Sequence, residues 1–168
     1  MNIGNFEIVK INDVKPASVI IPVINDGGVR SVVLEVRADG IRQAGEVCFP
    51  GGRIDDGEEA LDAALREIKE ELLISDDNIN NVKPKFITMG PRLEPVFVYE
   101  CELICYENSY NKDEVSKVLT LSFDWLKDNV HVLHDDRMKT QCEYIYGEYR
   151  IWGMTARVIN WYLKGLEL

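Results

Sequence analysis

The chain has no run of about 18 or more apolar residues, so it offers no candidate for a membrane-crossing helix. Residues 1–5 lack the basic and apolar parts of a signal peptide, and residues 166–168 are not a peroxisomal address. Positive charge is scarce: 19 Lys and Arg against 29 Asp and Glu leave a net charge of −10. That balance argues against a nucleic-acid binder, which needs basic side chains to displace counterions from phosphates. It repels anionic ligands too, unless a cation neutralises the site that receives them. Cys48, Cys101, Cys105 and Cys142 show no CxxC pairing, which removes the usual zinc patterns and leaves four reduced, mostly buried thiols of a cytoplasmic protein. Cys101 and Cys105 are expected on one face of a single strand. Only two histidines occur, His131 and His134, and both read as packed or solvated residues of a loop or short strand. There is no repeat, low-complexity tract or linker, so residues 1–168 read as one domain, long enough for a single core.

What the chain does have is acid in a particular pattern. Glu67, Glu70 and Glu71 stand at i, i+3 and i+4 of one helical stretch, behind the turn Phe49-Pro50-Gly51-Gly52. At about 100° per residue their side chains fall within an arc of roughly 100°. Like charges one turn apart cost a bare helix a few tenths of a kcal/mol. A hard divalent cation reverses that sign, and Mg²⁺ is commonly shared between carboxylates and substrate phosphates. Leu61, Ala64, Leu65, Ile68 and Leu72 form the apolar stripe of the same helix, with the glutamates flanking it, so Glu71 should be only partly solvated. Asp55 or Asp56 is the expected cap.

Written out, Gly52-x5-Glu58-x7-Arg66-Glu67-Ile68-x-Glu70-Glu71-x-Leu73-Ile74 resembles the box of the Nudix hydrolases, enzymes that cleave diphosphates linked to another group. The resemblance implies an α/β (α+β) fold, the αβα sandwich with a mixed central sheet. It implies metal binding by Glu67, Glu70 and Glu71 with help from the Gly51 or Gly52 carbonyl, and a supporting salt bridge between Glu58 and Arg66. One position departs: Leu73 stands where the family has a glycine that ends the helix in a left-handed conformation. A leucine adopts that conformation at a cost of about 1 kcal/mol or more, so the helix is expected to run on toward Ser75-Asp76-Asp77-Asn78.

A second set of matches points within the family. The stretch from Val33-Leu34-Glu35-Val36-Arg37-Ala38 to Gly45-Glu46-Val47-Cys48-Phe49-Pro50-Gly51-Gly52 resembles the motif upstream of the box in coenzyme A pyrophosphatases. It is one residue shorter than that pattern between Ala38 and Gly45, and Glu35 replaces the usual Thr. Asn111-Lys112-Asp113-Glu114-Val115 and Ile151-Trp152-Gly153-Met154-Thr155-Ala156-Arg157 also resemble that subfamily.

Along the chain, strands are expected over 17–24 and 31–36, joined by a hairpin turn at Asn25-Asp26-Gly27-Gly28. The box helix spans roughly 58–73, with strands at 85–89 and 96–106 after it. A short helix begins at Ser122, a strand covers 143–150, and a closing helix runs from a Thr155 cap to Gly165. Trp125, Trp152 and Trp161 read as core or helix-packing residues.

Hydrolysing a diphosphate needs charge neutralisation, an oriented water and a stabilised leaving group. Mg²⁺ or Mn²⁺ on the three glutamates supplies the first two requirements, since hard carboxylates favour those metals over zinc. Glu114 is the remote candidate for the general base, with Glu67, or Glu70 beside it, as the alternative within the box. Arg37 and Arg42 are candidates for gripping substrate phosphate. The expected substrate is coenzyme A or a derivative. The alternatives are ADP-ribose, a dinucleotide or another nucleoside diphosphate derivative, and outside catalysis a binding domain without turnover. A homodimer is compatible with the family, but no stretch marks an interface.

Overall fold

Residues 14–136 and 139–165 are described by the computed structural model, so residues 1–5 and 166–168 and the His134 side chain lie outside it. In chain order the elements begin with β1 (Ala17–Asp26), β2 (Val29–Arg37), β3 (Val47–Cys48), β4 (Gly51–Arg53) and α1 (Ala60–Leu72). They continue with β5 (Ile79–Met89), β6 (Pro95–Leu103), β7 (Val115–Ser122), α2 (Phe123–Asp128), β8 (His131–Asp136), β9 (Lys139–Tyr146), β10 (Tyr149–Ile151) and α3 (Gly153–Gly165). The class is the expected mixed α/β, with a mixed central sheet. Among the described residues no helix is long and apolar enough to cross a membrane.

The chain divides into two compact units. One holds the described residues up to Pro22 together with Pro50–Asn111. Here the start of β1 pairs antiparallel with β4, Val19 opposite Gly51, and lies beside β6, which pairs with β5. Ile20, Ile21, Val98 and Cys101 from the strands and Ala63, Ala64, Ile68 and Leu72 from α1 are fully buried. The other unit holds Val23–Phe49 and the described residues from Lys112 onward. In it β2 pairs with the end of β1, with β3 and with β7, while β8, β9 and β10 form an antiparallel sheet. Helices α2 and α3 meet where Phe123 packs edge-on against Tyr162, ring centroids 5.8 Å apart. The hairpin between β1 and β2 turns on Gly27-Gly28 alone, both with positive φ, while Asn25 and Asp26 belong to the strand.

Several sequence expectations give way to tertiary context. Helix α1 starts at Ala60 with Glu59 at its cap position and no side-chain cap bond, so neither Asp55 nor Asp56 caps it. Those residues sit instead in a turn closed by Glu58 N–H to the Asp55 carbonyl. The buried stripe is rotated toward Ala60, Ala63 and Ala64, leaving Leu61 37% exposed. Small residues let a helix approach a strand closely, which an emphasis on large apolar residues overlooks. Cys105 is exposed, at positive φ, beyond the end of β6, so it shares no strand face with Cys101. All four cysteines are free, and burial pushes the Cys101 thiol up to about 12. The strand expected over 143–150 is a hairpin, β9 and β10, turning at Gly147. Thr155 is buried inside α3 and does not cap it. Trp152 and Trp161 are exposed, each lying beneath an arginine, Arg150 at 5.6 Å and Arg157 at 5.7 Å from the ring centroids. Ser122 does cap α2, accepting from the Trp125 N–H at 3.2 Å.

The end of α1 is the most instructive departure. The helix stops at Leu72, and Leu73 takes the left-handed conformation at φ 51° and ψ 40°. Two carbonyls of the last turn are taken by a distant segment: Asn111 N–H donates to Glu71 O at 2.8 Å, and Ser109 Oγ donates to Leu72 O at 3.3 Å. Those bonds, with Ile74 buried, hold the exit direction against the local preference of leucine. Leu73 is 57% exposed, so Leu73→Gly removes little packing. Relief of about 1–2 kcal/mol of left-handed strain outweighs the added unfolded-state entropy of about 0.4–1 kcal/mol. Thermal unfolding should therefore show Leu73→Gly melting about 1–4 °C higher than wild type. A lower melting point would mean that Leu73 carries no strain.

Candidate metal centre and active site

Strand β4 and helix α1, in the first unit, bring the glycines and glutamates of the box together. Gly51 N–H donates to Glu71 Oε2 at 2.9 Å, and the Glu71 side chain, on the core side of α1, is 3% exposed. Gly52 is held opposite Ser18 by the β1–β4 ladder. A Cβ at Gly52 would overlap the Glu67 carboxylate, so this backbone is a floor on which that carboxylate lies. A Cβ at Gly51 would strike the Ser18 carbonyl and Val19. Gly51 is thus required by close approach to backbone, and Gly52 leaves the space in which the Glu67 carboxylate lies.

Arg66 organises the rest. Its Nε and Nη2 fork onto the two oxygens of Glu58, at 2.8 and 3.1 Å, and Nη2 also donates to the Arg53 carbonyl at 3.2 Å. Its Nη1 donates to Glu67 Oε1 at 2.8 Å and reaches Glu70 Oε2 at 3.4 Å. The guanidinium is therefore shared among three carboxylates, and its pKa is raised, chiefly by the hydrogen bond to Glu58. Glu58 additionally accepts from the Asp55 N–H at 2.9 Å, tying the 53–58 loop to the helix. The paired Arg66 holds the Glu58 carboxyl below its usual value of 4.5, against the opposing effect of burial.

A depressed value has a defined consequence. The pair stabilises the fold fully above the unfolded value near 4.5 and loses its contribution as pH falls through the lower folded value. Glu58→Gln should therefore lower the melting temperature most at pH 6–8, and the gap to wild type should narrow below about pH 4. A gap that persists unchanged to pH 3 would place the loss elsewhere.

Among the described residues no group of three or more His, Cys, Asp or Glu side chains is gathered closely enough to cage an ion. Glu67 and Glu70 face Arg66, Glu71 faces Gly51, and Glu70 is the outermost, with 54% of its side chain exposed. The donor chemistry still suits a hard divalent cation: three carboxylates on one helix, with Glu71 on the Gly51 N–H and Glu67 against the Gly52 backbone.

The candidates outside the box lie in the second unit. Arg37 ends β2, and its Nε donates to the Arg42 carbonyl at 2.9 Å, bracing the loop that carries Arg42. Ala38 N–H donates to the Glu114 carbonyl at 2.9 Å, which brings Glu114 to the base of that same loop. Arg42 is exposed and Glu114 half-buried. Glu35, which carries no role in the sequence pattern, is 1% exposed and accepts from the thiol of Cys48 at 3.3 Å, its register partner across β2 and β3. The signal was available: an acid inside Val32-Val33-Leu34-Glu35-Val36 must be buried if both strand faces are covered.

Comparison with known proteins agrees with this geometry. The NUDIX domain family model matches residues 14–141. Nudix hydrolase 3 of Caenorhabditis elegans is 30% identical over 167 positions, covering 85% of this chain and 70% of that protein. Mitochondrial coenzyme A diphosphatase NUDT8 of Mus musculus is 28% identical over 160 positions, covering 88% of this chain and 76% of that one. Among solved structures, DR0079 from Deinococcus radiodurans shares the fold with a TM-score of 0.60 at 15% identity, over 92% of this chain and 88% of that one. With most of its length matched, the chain belongs to the Nudix hydrolase family and is a pyrophosphohydrolase.

Proposed function

We propose that this pyrophosphohydrolase cleaves the diphosphate of coenzyme A or its derivatives, giving 3′,5′-ADP and a phosphopantetheine product. The observation that carries the chemistry is the seating of Glu71 on the Gly51 N–H and of Glu67 on the Gly52 backbone. Two features support the substrate: the motif around Phe49-Pro50-Gly51-Gly52 and the similarity to a protein named a coenzyme A diphosphatase. Glu67, Glu70 and Glu71, with the Gly51 carbonyl, are the residues that would hold Mg²⁺ or Mn²⁺. When bound, such an ion would supply neutralisation of the diphosphate charge and a more acidic water as nucleophile. Glu58 and Arg66 set the orientation of the helix face, and Arg66 keeps Glu67 and Glu70 from repelling one another. Glu67 and Glu114 are the two candidates that would take the proton from the water. Arg37 and Arg42 would meet the phosphates of the substrate.

One observation favours a second reading. Glu35, buried against Cys48, replaces the Thr usual in that motif, and the loop after Ala38 is shorter. Both changes depart from the coenzyme A pyrophosphatase pattern, and the alternative is another nucleoside diphosphate derivative, such as ADP-ribose or a dinucleotide. Purified protein incubated with coenzyme A, ADP-ribose, NADH and nucleoside triphosphates, with and without Mg²⁺ or Mn²⁺, separates the two. Release of 3′,5′-ADP from coenzyme A, only with metal and faster than turnover of the others, is expected. Faster cleavage of ADP-ribose or NADH would transfer the assignment to the second reading.

A further inference from the structure

Away from the box, the second unit carries an open cleft of about 460 Å³ between β7 and the turn that joins β9 to β10. That volume lies within the range of small-molecule sites, roughly 300–1,000 Å³. Its lining combines groups of different chemistry. Lys117 is exposed and places its ammonium over the Tyr149 ring, 5.0 Å from the centroid. Tyr146, 39% exposed, is fixed by Trp125, which meets it edge-on with ring centroids 5.1 Å apart. Glu148 sits at the tip of the turn beside Gly147, and Val118, Leu119 and Thr120 continue the β7 side.

Strand β7 adds backbone. It pairs with β2 through Ser31–Arg37, and among the described residues no strand pairs with its other side. In an antiparallel ladder alternate residues direct N–H and C=O outward, so the stretch Lys117 to Thr120 presents a donor and an acceptor toward the cleft whichever set faces out. A flat heteroaromatic ring with adjacent donor and acceptor atoms matches such an edge. A second copy of the chain fits it less well, because a lysine in the middle of an edge strand opposes strand addition.

We propose that this cleft binds a purine nucleoside monophosphate. The base stacks on Tyr146 and hydrogen-bonds the β7 edge, Glu148 accepts from the ribose hydroxyls, and Lys117 pairs with the phosphate. Each element of the lining answers one part of that ligand: ring, sugar and anion. The inference does not rest on the coenzyme A reading, since it concerns binding alone and residues outside the box.

The test is a titration of the metal-free protein with AMP, followed by backbone amide NMR. Saturable shifts are expected at Lys117 to Thr120 and at Gly147 to Tyr149. Lys117→Gln should weaken AMP about tenfold, the loss of one charge-assisted contact, and leave adenosine unaffected. Lys117→Arg should retain AMP binding, which guards against reading a folding defect as a lost contact. Inorganic phosphate and ribose 5-phosphate should bind much more weakly than AMP. The proposal is overturned by shifts confined to β4 and α1, by no shift at millimolar AMP, or by phosphate binding as well as AMP. Because turnover is never measured, failure here leaves the diphosphatase reading standing, and failure of coenzyme A cleavage leaves this site untouched.

Discussion

Replacing Glu71 by glutamine should lower turnover at least ~100-fold, about 3 kcal/mol of barrier, while the protein stays folded. The two halves of that expectation have different origins. The fold survives because the glutamine side chain retains a carbonyl oxygen able to accept from the Gly51 N–H, the bond that Glu71 Oε2 makes at 2.9 Å. The side chain keeps its volume, so the buried position beside Ile68 and Leu72 is neither emptied nor overfilled. Activity fails because the substitution removes the formal charge from the most buried of the three box glutamates. Circular dichroism and melting in EDTA should match wild type. In wild type, added Mn²⁺ should raise the melting temperature by mass action on the native state, and in the variant that rise should shrink. Near-normal turnover by Glu71→Gln would remove this carboxylate from the reaction. A variant that is inactive but retains the full metal-induced rise would leave it a role in the reaction other than binding the ion.

The contrast between what was legible and what was not follows the range of the interactions. Glu67, Glu70 and Glu71 could be placed on one helix from spacing alone, because a helix makes its own neighbours at i+3 and i+4. The Ser122 cap was readable for the same reason: its partner is the Trp125 N–H, three residues on. The end of α1 was not, since the groups that hold Leu73 left-handed are Ser109 and Asn111, and the first lies 37 residues from the carbonyl it reaches. The full reach of Arg66 is only partly legible in the sequence. Its pairing with Glu58 follows from the resemblance, and the i+4 contact with Glu70 follows from helical geometry. Contact with the adjacent Glu67 is not expected from helix spacing, where neighbours at i+1 diverge; it needs the guanidinium to be anchored first by Glu58 and the Arg53 carbonyl. The hairpin of β9 and β10 turns at Gly147, a residue that the reading of 143–150 as one strand passes over.

Gly52→Ala should separate room for a side chain from freedom of the backbone. Gly52 shows no positive φ, and its strand is held by pairing with Ser18, so alanine suits the backbone there. What a methyl group meets is the end of the Glu67 side chain. A flexible carboxylate can swing aside, so the cost in stability should be small, within about 1 kcal/mol. The swing breaks the 2.8 Å bond from Arg66 and lifts Glu67 from its floor, so activity should fall by about 100-fold. Gly57 supplies the opposite case: its φ is +84° and a Cβ there meets nothing within 4 Å. Gly57→Ala should cost about 1–2 kcal/mol of stability through left-handed strain and leave turnover of the folded fraction intact. Combining Gly52→Ala with Glu67→Ala makes the assignment specific. If Gly52 matters only as the seat of Glu67, adding the methyl group to a protein already lacking that carboxylate should change the rate no further. A double variant slower than Glu67→Ala by the full factor of the single Gly52→Ala would show that the glycine serves the reaction independently, through its own backbone.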